Sequence, residues 1–207
     1  MKRNILLLLI FYSMSFMSFS QYSWTNGEVI LHDGETIVGE IKIPVISKDF
    51  VHFNGKSKVK VRNQLTGEKT VFDENQVKLI KFKYPGSKIA FYEYVPVSKN
   101  KKEIFCIITT GSVTLYGREV AITSSGHASM SVHGMDEFYV QRSGEHIAKP
   151  LKTARPSRSF RKRAIEYFND CPTVVNTLKS KKIKTADEII AIVETYNECV
   201  EQASNTI

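Results

Sequence analysis

The stretch EVILHDGETIVGEIKI, residues 28–43, has the pattern of two β-strands joined by a tight turn. Asp33-Gly34 lies at its centre, and this dipeptide accepts the positive φ that a two-residue hairpin turn requires. After the turn, Ile37 and Ile41 alternate with polar residues, as in a strand with one face in the core and one in water. The stretch therefore predicts an antiparallel hairpin.

Similar patterns continue as far as Leu151. Further strands are predicted at residues 50–53, 56–62, 77–84, 88–97, 103–109, 113–116, 138–141 and 146–151, with Asn54-Gly55 and Pro85-Gly86 in turns. Residues 103–109 are apolar on both sides and are the candidate for the most buried strand. Residues 118–137 form either a long ragged hairpin or a loop over one end of the sheet. About eight to ten short strands predict a bent open sheet or a small, partly open barrel.

The end of the chain predicts a cassette of two to three helices. Thr185 and Glu188 have the spacing of a capping box. Asp170 is expected to cap the helix that follows it, which has Pro172 in its first turn. The fold class is therefore α+β. It comprises a signal peptide at residues 1–20, an antiparallel β domain at 21–151 and a helical cassette at 152–207, packed on or beside the sheet.

The first twenty residues have the three parts of a secretory signal peptide. Lys2 and Arg3 precede an apolar run, and Ser18 and Ser20 are small enough for cleavage between Ser20 and Gln21. A transmembrane anchor is the alternative, but the strictly apolar core is shorter than the roughly 20 residues that a span needs. We expect an exported protein in the periplasm or at the periphery of the outer membrane, or else an extracellular one. No transmembrane segment is expected after cleavage.

Three cysteines remain in a chain expected to enter an oxidising compartment. Cys171 and Cys199 both lie in the helical cassette, so they are the natural disulfide pair, with two free thiols as the alternative. Cys106 lies in an apolar run, where a free thiol acts as a small hydrophobic side chain.

The basic residues are concentrated before the last helix. Cleavage would remove Lys2 and Arg3 and lower the formal net charge from +8 to +6. The candidate basic interaction surface comprises Arg158, Arg161, Lys162, Arg163, Lys181 and Lys182. Lipid headgroups, an acidic glycan or another envelope protein are candidate partners. The simpler interpretation is that this surface and the acidic last helix partly neutralise each other within the cassette, and partner binding is the alternative to it. Export disfavours nucleic acid, and the oligomeric state is left open.

Motifs for catalysis are absent from the sequence. It contains no nucleophile elbow, no zinc-protease motif, no phosphate-binding loop and no dinucleotide fingerprint. His127 and His133 lie among serines, but their spacing matches no metal or nucleophile pattern, and a polar loop explains them. We therefore expect no cofactor, no metal and no enzyme. The chain is interpreted as a structural or interaction module, with a lipid or glycan carrier and a hydrolase as alternatives.

Short motifs also suggest a family. They are residues 33–41 (DGETIVGEI), residues 111–116 (GSVTLY), Asp170-Cys171-Pro172 and Tyr196-Asn197. On these residues the chain resembles a group of uncharacterised exported proteins from Bacteroidota, especially flavobacteria, with a β-rich region and a C-terminal helical segment. The resemblance implies an envelope location and a single α+β unit. Its motifs mark architecture, so no functional residues are carried over.

Overall fold

The computed structural model describes residues 24–44, 57–126, 129–154 and 159–204, with the backbone alone at 121–126 and 129–134. Ten strands precede three helices. The strands are β1 (Thr25–Leu31), β2 (Thr36–Lys42), β3 (Val59–Arg62), β4 (Lys69–Phe72), β5 (Val77–Tyr84), β6 (Lys88–Ser98), β7 (Lys101–Thr109), β8 (Val113–Gly126), β9 (Ser129–Arg142) and β10 (Lys149–Lys152). The helices are α1 (Phe160–Tyr167), α2 (Pro172–Ser180) and α3 (Ala186–Ser204). The α+β class is confirmed.

All ten strands form one antiparallel sheet in the order β10-β9-β8-β7-β6-β5-β1-β2-β3-β4. Every neighbouring pair but β1–β5 is consecutive in the chain. The predicted opening hairpin forms, with Val29 opposite Ile37. Its loop has three residues and not two, since Leu31 N–H donates to the carbonyl of Glu35 at 2.8 Å. Gly34 lies in its turn with a φ of 94°, which favours glycine.

The sheet bends toward opposite faces at its two ends. We call the face that carries Val29, Ile104 and Val140 the inner face. At one end, the Tyr94 hydroxyl of β6 donates a hydrogen bond to the carbonyl of Ser57, which lies just before β3. At the other end, the backbone N–H of Ala148 donates to the carbonyl of Pro96, 2.9 Å away in β6. The first contact curls β1–β6 around the inner face, and the second curls β6–β10 around the outer face.

Three apolar clusters follow from this bend. Inside the first curl lie Val29, Leu31, Ile41, Val59, Val61, Phe72, Val77, Ile80, Phe82 and Ile104. Inside the second curl lie Val95, Phe105, Tyr116, Tyr139 and Ala148. The third cluster joins the inner face of β8–β10 to all three helices, with Leu115, Val140, Phe168, Val193 and Tyr196 among its buried members.

Several boundaries differ from those predicted. The described part of the uncertain residues 118–137, which is all but 127 and 128, belongs to the paired strands β8 and β9, and the loop interpretation is wrong. Helix α1 begins at Phe160 with Ser159 as its N-cap. Residues 50–55, which include the second predicted turn, lie outside the described residues, and so does the signal peptide. Within the described part of the chain, no helix is long and apolar enough to span a membrane.

Candidate functional site

A groove opens on the inner face where the first curl meets helix α3. Its floor is one row of side chains across four strands. Tyr92 lies opposite Cys106, Cys106 opposite Gly117, and Gly117 opposite Phe138. The two central residues are small. The Ile108 side chain covers Gly117, because its Cδ1 would lie 2.4 Å from a Cβ at that position. The floor is therefore lowest at Cys106.

The walls of the groove come from both halves of the molecule. The cavity measures about 460 Å³, within the range of about 300–1,000 Å³ typical of small-molecule sites. Its apolar lining is Ile41, Ile43, Pro44, Phe82, Ile104, Ile108, Phe138, Ala186 and Ile190. Glu119 and Asp136, which are exposed, add carboxylates to the lining. The groove is thus an apolar channel with an acidic edge.

The titratable groups on the floor remain neutral at physiological pH. Burial raises the pKa of the Cys106 thiol, and burial also raises the pKa of the Tyr92 hydroxyl. A thiol is nucleophilic only as the thiolate. The floor therefore favours the binding of apolar groups over nucleophilic chemistry.

A buried ionic cluster occupies the outer face behind this floor. The Arg118 guanidinium donates through Nε and Nη2 to Glu137 Oε2, at 3.0 and 2.8 Å. Its Nη1 lies 2.5 Å from Glu103 Oε2, and its Cζ lies 4.2 Å from the Phe105 ring centroid. Lys101 contacts Glu103 from the surface and balances the charge. Burial alone would raise the pKa of Glu103, but Arg118 and Lys101 outweigh it and lower the pKa.

The helical cassette is closed by the predicted disulfide. Cys171 and Cys199 are bonded, with Cα atoms 6.4 Å apart, and Cys106 is a free thiol. Asp170 is not the expected cap, since Cys171 takes the N-cap position of α2 without a side-chain hydrogen bond. Asp170 instead accepts hydrogen bonds from Arg142 at 2.9 Å and from the Tyr196 hydroxyl at 2.8 Å.

The candidate basic surface is only partly assembled. Arg161 donates to the carbonyl of Lys181 at 3.1 Å, which brings these two residues together near Lys182. Arg163 points elsewhere, to the Thr153 hydroxyl at 3.3 Å. Lys162 is exposed.

The remaining candidate residues can be placed only in part. Arg158, Ser20, Gln21 and His127 lie outside the described residues, and His133 is described by its backbone alone. The described residues contain no group of three or more His, Cys, Asp or Glu side chains able to hold a metal ion.

No protein-family model, curated protein or solved structure matches this chain. Two of the short motifs, residues 111–116 and Tyr196-Asn197, contact each other. The Asn197 side chain accepts from Val113 N–H at 2.8 Å and donates to Val113 C=O at 3.0 Å. A Cβ on Gly111 would lie 2.6 Å from this side chain. The absence of a side chain at Gly111 therefore leaves room for Asn197. These motifs join β8 to α3.

Sequence reasoning missed both the groove and the ionic cluster. The floor of the groove is formed where Cys106 lies opposite Tyr92 in a cross-strand row, and this depends on register rather than on a local motif. Arg118 and Glu137 sat in the most uncertain stretch, and their third partner, Glu103, comes from another strand. The signal that could have found them is a pair of charged residues at facing positions of one hairpin.

Proposed function

We propose that this protein is a non-catalytic component of the bacterial envelope that acts by binding, and that the groove holds the apolar chain of a lipid. The observation that carries the proposal is the cavity of about 460 Å³ on the inner face, whose floor is the small side chain of Cys106 between Tyr92 and the Ile108 side chain that covers Gly117. Its walls are aliphatic and aromatic, which suits an alkyl chain better than a glycan.

The chemistry of the groove supports binding rather than turnover. Its thiol has a raised pKa, and its exposed carboxylates lie at one edge, where the polar end of an amphipathic molecule can remain in water. The disulfide in the cassette supports an oxidising compartment such as the periplasm. A glycan ligand is the alternative within the same site.

The test is native mass spectrometry of protein gently purified from an exporting host, followed by reloading with lysophospholipid. Cys106→Phe should fill the floor and abolish the bound mass, while Cys106→Ser, which is nearly isosteric, should retain it. Ile190→Trp narrows the groove from helix α3 and should also abolish the bound mass. It tests the same prediction if Cys106→Phe does not fold. Val38→Phe adds the same bulk at a site that is 67% exposed on β2 and should retain the ligand.

A second readout uses the free thiol. Cys106 is the one cysteine of the three outside the disulfide, so its alkylation by N-ethylmaleimide reports on the groove alone. Lysophospholipid should slow this alkylation. The absence of both a bound lipid and this protection would overturn the proposal.

A second candidate function is the binding of another envelope protein. It is favoured by Ile89 and Phe91 on the outer face of β6, which are 52% and 39% exposed. A photoreactive residue at position 91 should then crosslink to a defined envelope protein in intact cells. The same residue at the exposed position 176 of helix α2 is the control.

A further inference from the structure

The tip of the β3–β4 hairpin presents a leucine to solvent. Leu65 is 95% exposed, although a leucine normally gains by burial. Asn63 holds the loop around it. Its side-chain oxygen accepts from Leu65 N–H at 2.8 Å and from Thr66 N–H at 3.2 Å, and its carbonyl accepts from Gly67 N–H at 2.9 Å. The exposed position of Leu65 is therefore built into the turn.

The outer face beside this tip carries like charges at facing positions. Lys42 lies directly opposite Lys60, and Arg62 directly opposite Lys69. Like charges at such positions destabilise a sheet. Among the described residues, Arg62 has one ion-pair partner, Glu40, at 2.6 Å, and no ion pair involves the three lysines. This arrangement lowers the stability of the sheet, and an anion bound at this face would offset the repulsion.

A tryptophan completes the surface. The Cζ of Arg62 lies 4.7 Å from the centroid of the Trp24 ring, and Nζ of Lys69 lies 5.9 Å from it. The ring is half-buried. Tryptophan is enriched at membrane–water interfaces, where its amphipathic ring lies at the level of the headgroups.

The acidic residues close to this surface neutralise only part of it. Glu40 is paired with Arg62, and Glu68 is an exposed residue of the loop. Over the hairpin, residues 59–72, there are three basic residues, Lys60, Arg62 and Lys69, against Glu68 alone, so the hairpin carries +2. Asp73 and Glu74 follow it directly.

We propose that the β3–β4 hairpin docks the protein on an anionic lipid bilayer. Leu65 enters the acyl boundary, Trp24 lies at the headgroup level, and Lys42, Lys60 and Lys69 contact the anionic headgroups. A soluble acidic glycan would use the charges but would leave the exposed leucine without a role. An apolar tip beside clustered bases is the combination that a bilayer surface recognises.

This docking does not depend on the groove, since the basic side chains of the hairpin lie on the outer face of the sheet and the groove lies on the inner face. Cosedimentation of the full mature chain with vesicles tests it. We expect binding to vesicles of phosphatidylcholine with phosphatidylglycerol, little binding to phosphatidylcholine alone, and a marked loss when salt is raised.

Variants separate the two contributions. Leu65→Ser should weaken binding about tenfold, because an apolar side chain no longer enters the bilayer. Met135→Ser, at an apolar residue of β9 that is 38% exposed, is the matched control and should bind like the wild type. Lys60→Glu with Lys69→Glu should weaken binding by more than about 25-fold, since each basic residue near an anionic surface contributes roughly fivefold.

The helical basic residues provide the decisive comparison. Lys162→Glu with Lys182→Glu makes the same change in charge on the cassette and should leave vesicle binding within about fivefold of the wild type. If this pair abolishes binding and the hairpin pair does not, the proposal is overturned. Binding to heparin but not to vesicles would also overturn it.

The same variants distinguish this proposal from the proposed function. Cys106→Phe should bind vesicles normally while its groove is empty, and Leu65→Ser should retain the groove ligand while its vesicle binding is weakened. A failure of one proposal therefore leaves the other measurable.

Discussion

The two ends of the sheet are stabilised in different ways. Strands β7–β10 have packed side chains on both faces, with the helices on the inner face and the ionic cluster of Arg118 on the outer face. Strands β1–β5 have one apolar cluster, on the inner face. Their outer face carries partly exposed ion pairs such as Glu28 with Lys83. The helix-covered half is therefore built for rigidity.

The two candidate binding features involve the first half. The groove lies where its inner face meets the second half and α3, and the basic hairpin is on its outer edge. Surfaces that bind a partner must leave apolar or charged groups exposed, and such groups cannot also serve the core. Matched substitutions in the two halves test this difference.

The largest effect is expected from the buried ionic cluster. Arg118→Leu leaves Glu103 and Glu137 as buried carboxylates without their guanidinium partner. The free energy of unfolding should fall by about 3–5 kcal/mol, because an uncompensated buried charge is costly. Urea denaturation measures the loss.

The matched change in the other half is Arg62→Leu. It breaks the pair with Glu40, whose side chains are 34% and 27% exposed for arginine and glutamate, so the loss should be about 1 kcal/mol or less. Equal losses for the two variants would show that the halves do not differ in the way described.

The next largest effect is expected from the disulfide. Cys171 and Cys199 are separated by 28 positions, and closing such a loop stabilises a fold by about 3–4 kcal/mol in the chain-entropy model. Replacing both with alanine should lower the free energy of unfolding by that amount. Hydrogen exchange should show the loss of protection in α2 and α3 first. An equal loss of protection in β1–β5 would contradict the contrast.

Much of the fold could be predicted because it depends on neighbours in the chain. The alternation around Ile41 predicted its burial. The spacing of Thr185 and Glu188 predicted a capping box, and both hydrogen bonds form, at 3.1 and 3.2 Å. The pairing of Cys171 with Cys199 followed from their shared cassette. Each of these features involves one element or two adjacent ones.

The remaining features depend on contacts between distant parts of the chain. Asp170 has the position of a helix cap, but Arg142 and Tyr196 bind its carboxylate. The groove requires a register shared by four strands. Alternation predicts that a sheet has an inner face but not that the sheet bends in two directions, so the candidate site could not be predicted beyond its being on a bent sheet.

A smaller effect is expected at the contact between α3 and β8. Asn197→Ala removes two hydrogen bonds to the backbone of Val113. A buried backbone group left without a partner costs about 1–3 kcal/mol, and we expect a loss in that range by urea denaturation. Asn176→Ala is the same change at an exposed position of α2 and should cost less than about 0.5 kcal/mol. Equal losses would contradict a structural role for Asn197.

The smallest effect compares one carboxylate from each half. The Glu188 carboxylate accepts from the backbone N–H groups of Lys184 and Thr185, which, with Lys181, lower its pKa to about 2. Lys83 and then Lys81 lower the pKa of Glu28. A carboxylate with a lowered pKa in the folded state stabilises the fold at pH values above its unfolded pKa of about 4.5. This stabilisation is lost as the pH falls toward the folded-state pKa. Each Glu→Gln variant should therefore differ from the wild type above the unfolded pKa and converge with it in acid.

Salt separates these two carboxylates. The lysine partners of Glu28 are side chains at the surface, so high salt screens them and should make Glu28→Gln equal to the wild type at neutral pH. The partners of Glu188 include two backbone hydrogen bonds, at 2.7 and 3.1 Å, which do not depend on a distant charge. The Glu188→Gln difference should therefore persist in high salt. If both differences vanish together, the two halves use electrostatics alike, and the rigidity of the helix-covered half rests on its packing, its disulfide and its buried cluster alone.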